Sequence, residues 1–137
     1  MSANISPIFV RLPFAQYAAT GVSANTALDG TGSVVTFFTA DATNGSKVER
    51  IRLYHQGTNP ATVVRIFMNN GSSNSVANNN ALIAEIAMPA YTLSQTAVSP
   101  SAELFLDLPV PAGYVLNCTT GTALTANISV SAFGGPY

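Results

Sequence analysis

Apolar and polar residues alternate with a period of two over most of the chain, the spacing of half-buried strands rather than the 3.6 of a helix. The clearest run is Val48 to His55. Glu49, Ile51, Leu53 and His55 fall on one side of it and Val48, Arg50, Arg52 and Tyr54 on the other. Ile51 and Leu53 are expected inward, Arg50 and Arg52 outward. Thr62 to Asn69 repeats the pattern, with Val64, Ile66 and Met68 opposite Val63, Arg65 and Phe67. Between the two, Gly57-Thr58-Asn59-Pro60-Ala61 reads as the longer loop of a hairpin, because Pro60 cannot donate to a ladder.

Further strands are expected at Ile8 to Leu12, Ser33 to Ala40, Ala81 to Met88, Ala102 to Leu108, Tyr114 to Thr119 and Ala126 to Phe133. Leu104, Leu106 and Leu108 stand opposite Glu103, Phe105 and Asp107. No stretch combines helical caps with a sustained 3.6-residue apolar stripe, although Ala81 to Ala87 is rich in helix formers. About eight short strands with turn residues between them define an all-β chain, an antiparallel β-sandwich or jelly roll. A small up-and-down barrel satisfies the same periodicity. Residues 33–137 make the sandwich domain. Residues 1–32 carry Phe9, Phe14 and Tyr17 without a sustained pattern and read as an N-terminal arm, seated either on a neighbour or along the edge of its own sandwich. Asn69 to Asn80 is a polar loop, long for a hairpin.

Composition adds an anomaly. The chain has 137 residues, of which 47% are hydrophobic and only 8% charged, with a formal net charge of -1. Typical soluble domains carry about 25% charged residues. Five Lys plus Arg cannot build the basic field that nucleic acid requires, and high hydrophobicity with low charge excludes disorder. No run approaches the roughly 20 apolar residues of a membrane span. The N-terminus lacks the charged and apolar regions of a secretory signal, so synthesis in the cytoplasm is expected. One cysteine, Cys118, cannot form an internal disulfide and reads as a small buried apolar residue. The charges that exist cluster on the central strands. From Leu12 to Leu28 and from Leu108 to Tyr137 there are none, and these stretches are the expected subunit and partner contacts.

Candidate chemistry is sparse. His55 is the single histidine, on the inward side near a strand end, and reads as a hydrogen-bonded structural or interface residue. No nucleophile elbow, glycine-rich phosphate loop or set of zinc ligands accompanies it. Glu85, Glu103 and Asp107 fall on polar faces, placed to pair across strands with Arg50 and Arg52. No enzyme, metal or cofactor is expected. A weakly charged surface rich in Ser, Thr and Asn suits large subunit contacts, so a homo-oligomer is expected.

The order of several segments carries a resemblance. They are Lys47-Val48-Glu49-Arg50-Ile51-Arg52-Leu53, Gly57-Thr58, Val63-Val64-Arg65-Ile66-Phe67, Glu85-Ile86, Leu108-Pro109-Val110-Pro111-Ala112-Gly113-Tyr114-Val115-Leu116, and the ending Ser131-Ala132-Phe133-Gly134-Gly135-Pro136-Tyr137. From about Val35 onward the chain resembles small structural proteins of tailed bacteriophages and prophages. The resemblance implies a capsid cement or decoration subunit, a β-sandwich homotrimer that sits on the outer surface of the virion and bridges capsomers. Its partners would be its own copies and the major capsid protein, with neither nucleic acid nor membrane. Ile8, Phe9, Phe14, Tyr17, Phe133 and Tyr137 are the candidate shell or subunit contacts. Two alternatives stand beside this reading. One is a receptor- or sugar-binding module of a phage fibre, using the Asn69 to Asn80 loop and Tyr54 or Tyr91. The other is a small jelly-roll coat protein, which would want a basic genome-facing arm that this chain lacks.

Overall fold

The computed structural model describes residue 10 and residues 12–137. Eight strands follow one another: β1 (Phe14–Ala19), β2 (Val35–Thr39), β3 (Ser46–His55), β4 (Thr62–Asn69), β5 (Asn80–Met88), β6 (Ser101–Val110), β7 (Val115–Thr120) and β8 (Ile128–Pro136). A single 3₁₀ turn at Ala77–Asn79 is the helical element among the described residues. The strands form two four-stranded sheets, ordered β1-β8-β3-β6 and β2-β7-β4-β5. Every ladder is antiparallel.

The order follows a simple rule. The first strand pairs with the eighth, the second with the seventh, the third with the sixth and the fourth with the fifth. A long antiparallel ribbon with these four pairings, rolled so that β3 also meets β8 and β4 meets β7, is a jelly roll. The barrel alternative is excluded, because the two sheets face each other as separate layers. Their inner faces supply Val48, Ile51, Leu53, Ile128 and Val130 from one sheet and Phe38, Val64, Ile66, Leu116 and Cys118 from the other, all fully buried in one core.

Two bulges correct the parity read from sequence. In β3 the register slips between Val48 and Arg50, where two residues oppose one of β8. Val48 is thereby turned into the core, on the same side as Ile51 and Leu53, instead of outward with Arg50. The bulged strand comes so close to β8 at Gly134 that a Cβ there would collide with the Lys47 carbonyl, which accounts for the glycine. In β2 the shift between Thr36 and Phe38 makes Phe37 an extra residue, and both phenylalanines are buried.

Of the two seats expected for the N-terminal segment, residues 14–19 take the edge of the chain's own sandwich, as a strand paired with β8. The strand was hidden because polar Gln16 faces inward and Tyr17 outward. Gln16 is a stitch between the sheets: its amide N–H donates to the Thr39 carbonyl at 2.9 Å and its carbonyl accepts from the Thr39 N–H at 2.8 Å, satisfying the free edge of β2. Phe14 stacks on Phe38 at 6.0 Å beside it. The β1/β2 flank is therefore closed. The strand expected at Ile8 to Leu12 lies mostly outside the described residues.

The connection from β1 to β2 crosses the outer face of the β2-β7-β4-β5 sheet. The Asn25 N–H donates to the Thr120 carbonyl on β7. Farther along, the carbonyls of Asp29, Gly30 and Gly32 accept from the side chains of Asn80, the first residue of β5, and of Asn74 in the loop before it. In the same sheet Phe67 is fully buried, although it lies outside the core cluster that holds Val64 and Ile66.

Candidate functional site

One sheet is covered by its own chain. The other, β1-β8-β3-β6, is left bare on its outer side by the described residues, and its register sorts that side into rows that run across all four strands. One row is Ala15, Phe133, Arg50 and Phe105. The next is Tyr17, Ser131, Arg52 and Glu103, and the third is Ala19, Ser129, Tyr54 and Ser101. Large and small side chains thus alternate over a corrugated plane. Tyr17 is 76% exposed and Phe105 71%, far more than isolated folding would favour for aromatics.

Six of the eleven charges frame this face: Lys47, Glu49, Arg50, Arg52, Glu103 and Asp107. Lys47 reaches Asp107 at 2.8 Å, and this bond raises the ammonium above the ordinary lysine range. Arg52 and Arg50 both turn to Glu103, as cross-strand pairing required. The Arg50 guanidinium also lies 4.4 Å from the centre of the Phe133 ring, a cation–π contact. Arg50, Phe133, Phe105 and Glu49 enclose a hollow of about 230 Å³. Arg and Tyr or Phe anchors in a plane with its charges already neutralised are the composition of an interface core.

Of the contact residues expected from sequence, the fold brings Tyr17 and Phe133 onto this one face. Phe14 is turned inward against Phe38. Tyr137 is half-buried at one end of the sandwich, where its N–H donates to the Gly45 carbonyl at 3.4 Å. Ile8 and Phe9 lie outside the described residues. Phe105, Tyr54, Arg50 and Arg52 complete the face. Sequence parity placed all four outward, but only the strand order puts β1, β8, β3 and β6 side by side.

His55 is buried, as its position on the inward side of β3 required. Its Nε2–H donates to the Pro89 carbonyl at 2.8 Å, and its Nδ1 accepts from the Asn59 amide at 3.1 Å. The direction follows from Asn59, whose Oδ1 already accepts the N–H groups of Thr125 and Ala126 at 3.1 and 2.8 Å. Tyr91 stacks on the imidazole at 5.6 Å. Both ring nitrogens are thus engaged in tying three loops together. Burial pushes the Cys118 thiol up to about 12. Among the described residues no three His, Cys, Asp or Glu side chains are grouped to hold a metal ion, and no helix is long and apolar enough to cross a membrane.

The asparagine-rich loop satisfies itself. Asn69 bonds Asn80, Asn70 bonds Asn79, Asn79 bonds the Ser73 carbonyl, and Asn74 holds the β1–β2 connection. Asn69 pairs with Asn80 at one end of the β4–β5 ladder. Tyr91, bridged to Asn59, belongs to the other end, about 23 Å away at the rise of a strand. The loop and Tyr91 therefore do not converge. A cleft of about 550 Å³ at that second end is walled by Val63, Ala87 and Pro89, with Arg65 held by Glu85 at 2.8 Å.

No family model matches the chain, and no curated protein matches it. Among solved structures its fold is similar to a chain in the structure of infectious bursal disease virus Gx strain, with a TM-score of 0.33 and 10% identity. The match covers 98% of this chain and 35% of that one, so this chain spans about a third of the length of the chain it matches. The likeness is one of fold, and it is distant.

Proposed function

We propose that the protein is a non-enzymatic structural component of a virus particle, a cement or decoration subunit that binds across capsomers on the outside of the shell. The observation that carries this reading is the bare outer face of the β1-β8-β3-β6 sheet, with Tyr17, Phe105, Phe133, Arg50 and Arg52 on one plane and the charges around them paired. Such a plane loses little on desolvation and gains from aromatic burial, as a wide contact with a weakly charged neighbour requires. The motif order that resembles phage structural proteins supports the same class. So does the jelly roll, an architecture that recurs in viral capsid domains and also in lectins and cupins, so the fold alone does not choose.

The mechanism is thermodynamic linkage. A subunit that binds only the assembled shell stabilises that state by mass action, and many copies multiply a modest contact. A homotrimer, as the resemblance implies, adds avidity. Shells prepared with and without the protein test the reading: those lacking it lose heat or chelator resistance, and equal resistance removes the cement role.

A further inference from the structure

We propose that the outer face of the β1-β8-β3-β6 sheet also receives a second copy of this chain, related by a two-fold axis that runs along the strands between β8 and β3. Rotation about that axis lays β3 of one copy over β8 of the other, and β6 over β1, while each cross-strand row stays over itself. The rows then mesh. Phe105 lands on Ala15, Arg50 on the ring of Phe133, Arg52 on Ser131 and Tyr54 on Ser129, so that every large side chain meets a small one or an aromatic face. Glu103 meets Tyr17, whose hydroxyl donates to a carboxylate. The Arg50–Phe133 contact already made within one copy at 4.4 Å is repeated between copies.

The other in-plane two-fold, across the strands, is disfavoured by the same rows. It sets Arg52 on Arg52 and Glu103 on Glu103, and like charges brought together in a closing interface repel. Charge balance favours self-pairing as well. Lys47, Arg50 and Arg52 offset Glu49, Glu103 and Asp107, and their ion pairs are already formed, so closing the face strands no lone charge. Four strands at about 4.8 Å spacing and about ten residues of length give roughly 600 Å² of projected face per copy. A standard interface buries about 800 Å² per partner, so the pair is expected to be weak, in the micromolar range. An axis inclined about 15° to the strands sets the two sheets at the usual aligned angle of about 30° and centres the match on the Arg52 row. The contact is isologous. A copy seated on a shell by this face cannot hold a second copy there, so the pair forms between copies that are off the shell and competes with shell binding.

A cysteine pair reads the axis directly. Ala15 and Phe105 sit on opposite edge strands of one sheet, about 14 Å apart, beyond the roughly 7 Å that a disulfide spans, so Ala15→Cys and Phe105→Cys in one chain can bond only between copies. Mild oxidation of the double variant is expected to give covalent dimers, and either single variant far fewer. Sedimentation at about 100 µM is expected to show wild-type pairs that weaken at least tenfold in Phe105→Asp. The same loss is expected in Ser129→Trp, which fills a hollow and leaves Phe105 in place, with unchanged circular dichroism. Val76→Asp, on the β4–β5 loop of the other sheet, is expected to change nothing. No excess of cross-linking in the double variant, or association indifferent to both face variants, would overturn the two-fold pairing. Since all arms use isolated protein, they fail or succeed apart from shell binding.

Discussion

Removing the Asn59 side chain is the severest single test of how this sandwich is held at one end. Asn59 is 3% exposed and makes three bonds, accepting from the backbone of Thr125 and Ala126 and donating to His55. Asn59→Ala orphans the Ala126 N–H and the His55 Nδ1, while exposed Thr125 regains water. A buried orphan costs about 1–3 kcal/mol. Two of them, with the lost contact of the His55–Tyr91 stack to its loop, sum to about 3 kcal/mol. For 137 residues the unfolding entropy near 60 °C is about 0.29 kcal/mol/K, so Tm should fall by about 10 °C. Thermal melts followed by circular dichroism, with urea titrations to confirm an unchanged slope, read the effect. Exposed Asn44→Ala serves as control and is expected within about 0.5 kcal/mol of wild type. Asn59→Asp keeps the acceptor for Ala126 but turns a second oxygen toward His55 Nδ1. An imidazole whose Nε2–H is committed to the Pro89 carbonyl offers that oxygen only a lone pair, so this variant is expected to lose stability as well. A loss under about 1 kcal/mol for Asn59→Ala would refute the view that this amide ties the loops together.

Two further outcomes follow from particular side chains. Gln16→Leu keeps the bulk but breaks both bonds to Thr39 at the β1/β2 flank, and at a partly hydrated edge it is expected to lower stability by about 1 kcal/mol and to speed amide exchange at Thr39; unchanged exchange there would contradict the stitch. The Cys118 thiol, raised to about 12 by burial, is expected to resist an aromatic disulfide reagent at about pH 8 until urea unfolds the chain. The unfolded thiol ionises first, so this group's stabilising effect is complete below about pH 8.5 and is lost as pH rises toward 12. Cys118→Ala is expected to flatten that part of the alkaline decline.

Legibility in the sequence followed physical cause. β3 to β6 and β8 showed themselves because one face of each meets the core, which writes a period of two, whereas β7, buried on both faces, showed only as a short run after a turn. β1 did not, because Gln16 is used inward as a hydrogen-bonding stitch and Tyr17 outward as surface, the reverse of what burial alone would select. Val48 misled because a bulge at Glu49–Arg50 changes parity without any residue type that marks it. Phe67 shares the strand side of Arg65 by parity yet is fully buried, where the β4–β5 register shifts between Ile66 and Phe67. For the candidate face, the outward direction of Arg50, Arg52, Tyr54 and Phe105 was readable strand by strand. Their assembly with Phe133 and Tyr17 was not, because a jelly roll sets the first, eighth, third and sixth strands side by side and no local pattern encodes that order. The shortage of charge also takes on a structural meaning. Six of eleven charged residues surround one sheet face, in mutual pairs, and both long uncharged stretches contribute an adjoining strand to that face, β1 and β8.

The most direct measurement of the central claim is the number of copies of this chain in purified particles of the genome that carries it, by quantitative mass spectrometry against the major shell protein. A cement subunit is expected in a fixed ratio to the shell protein, hundreds of copies in a particle, and lost in step with heat resistance when stripped. A handful of copies, or none, would contradict the account.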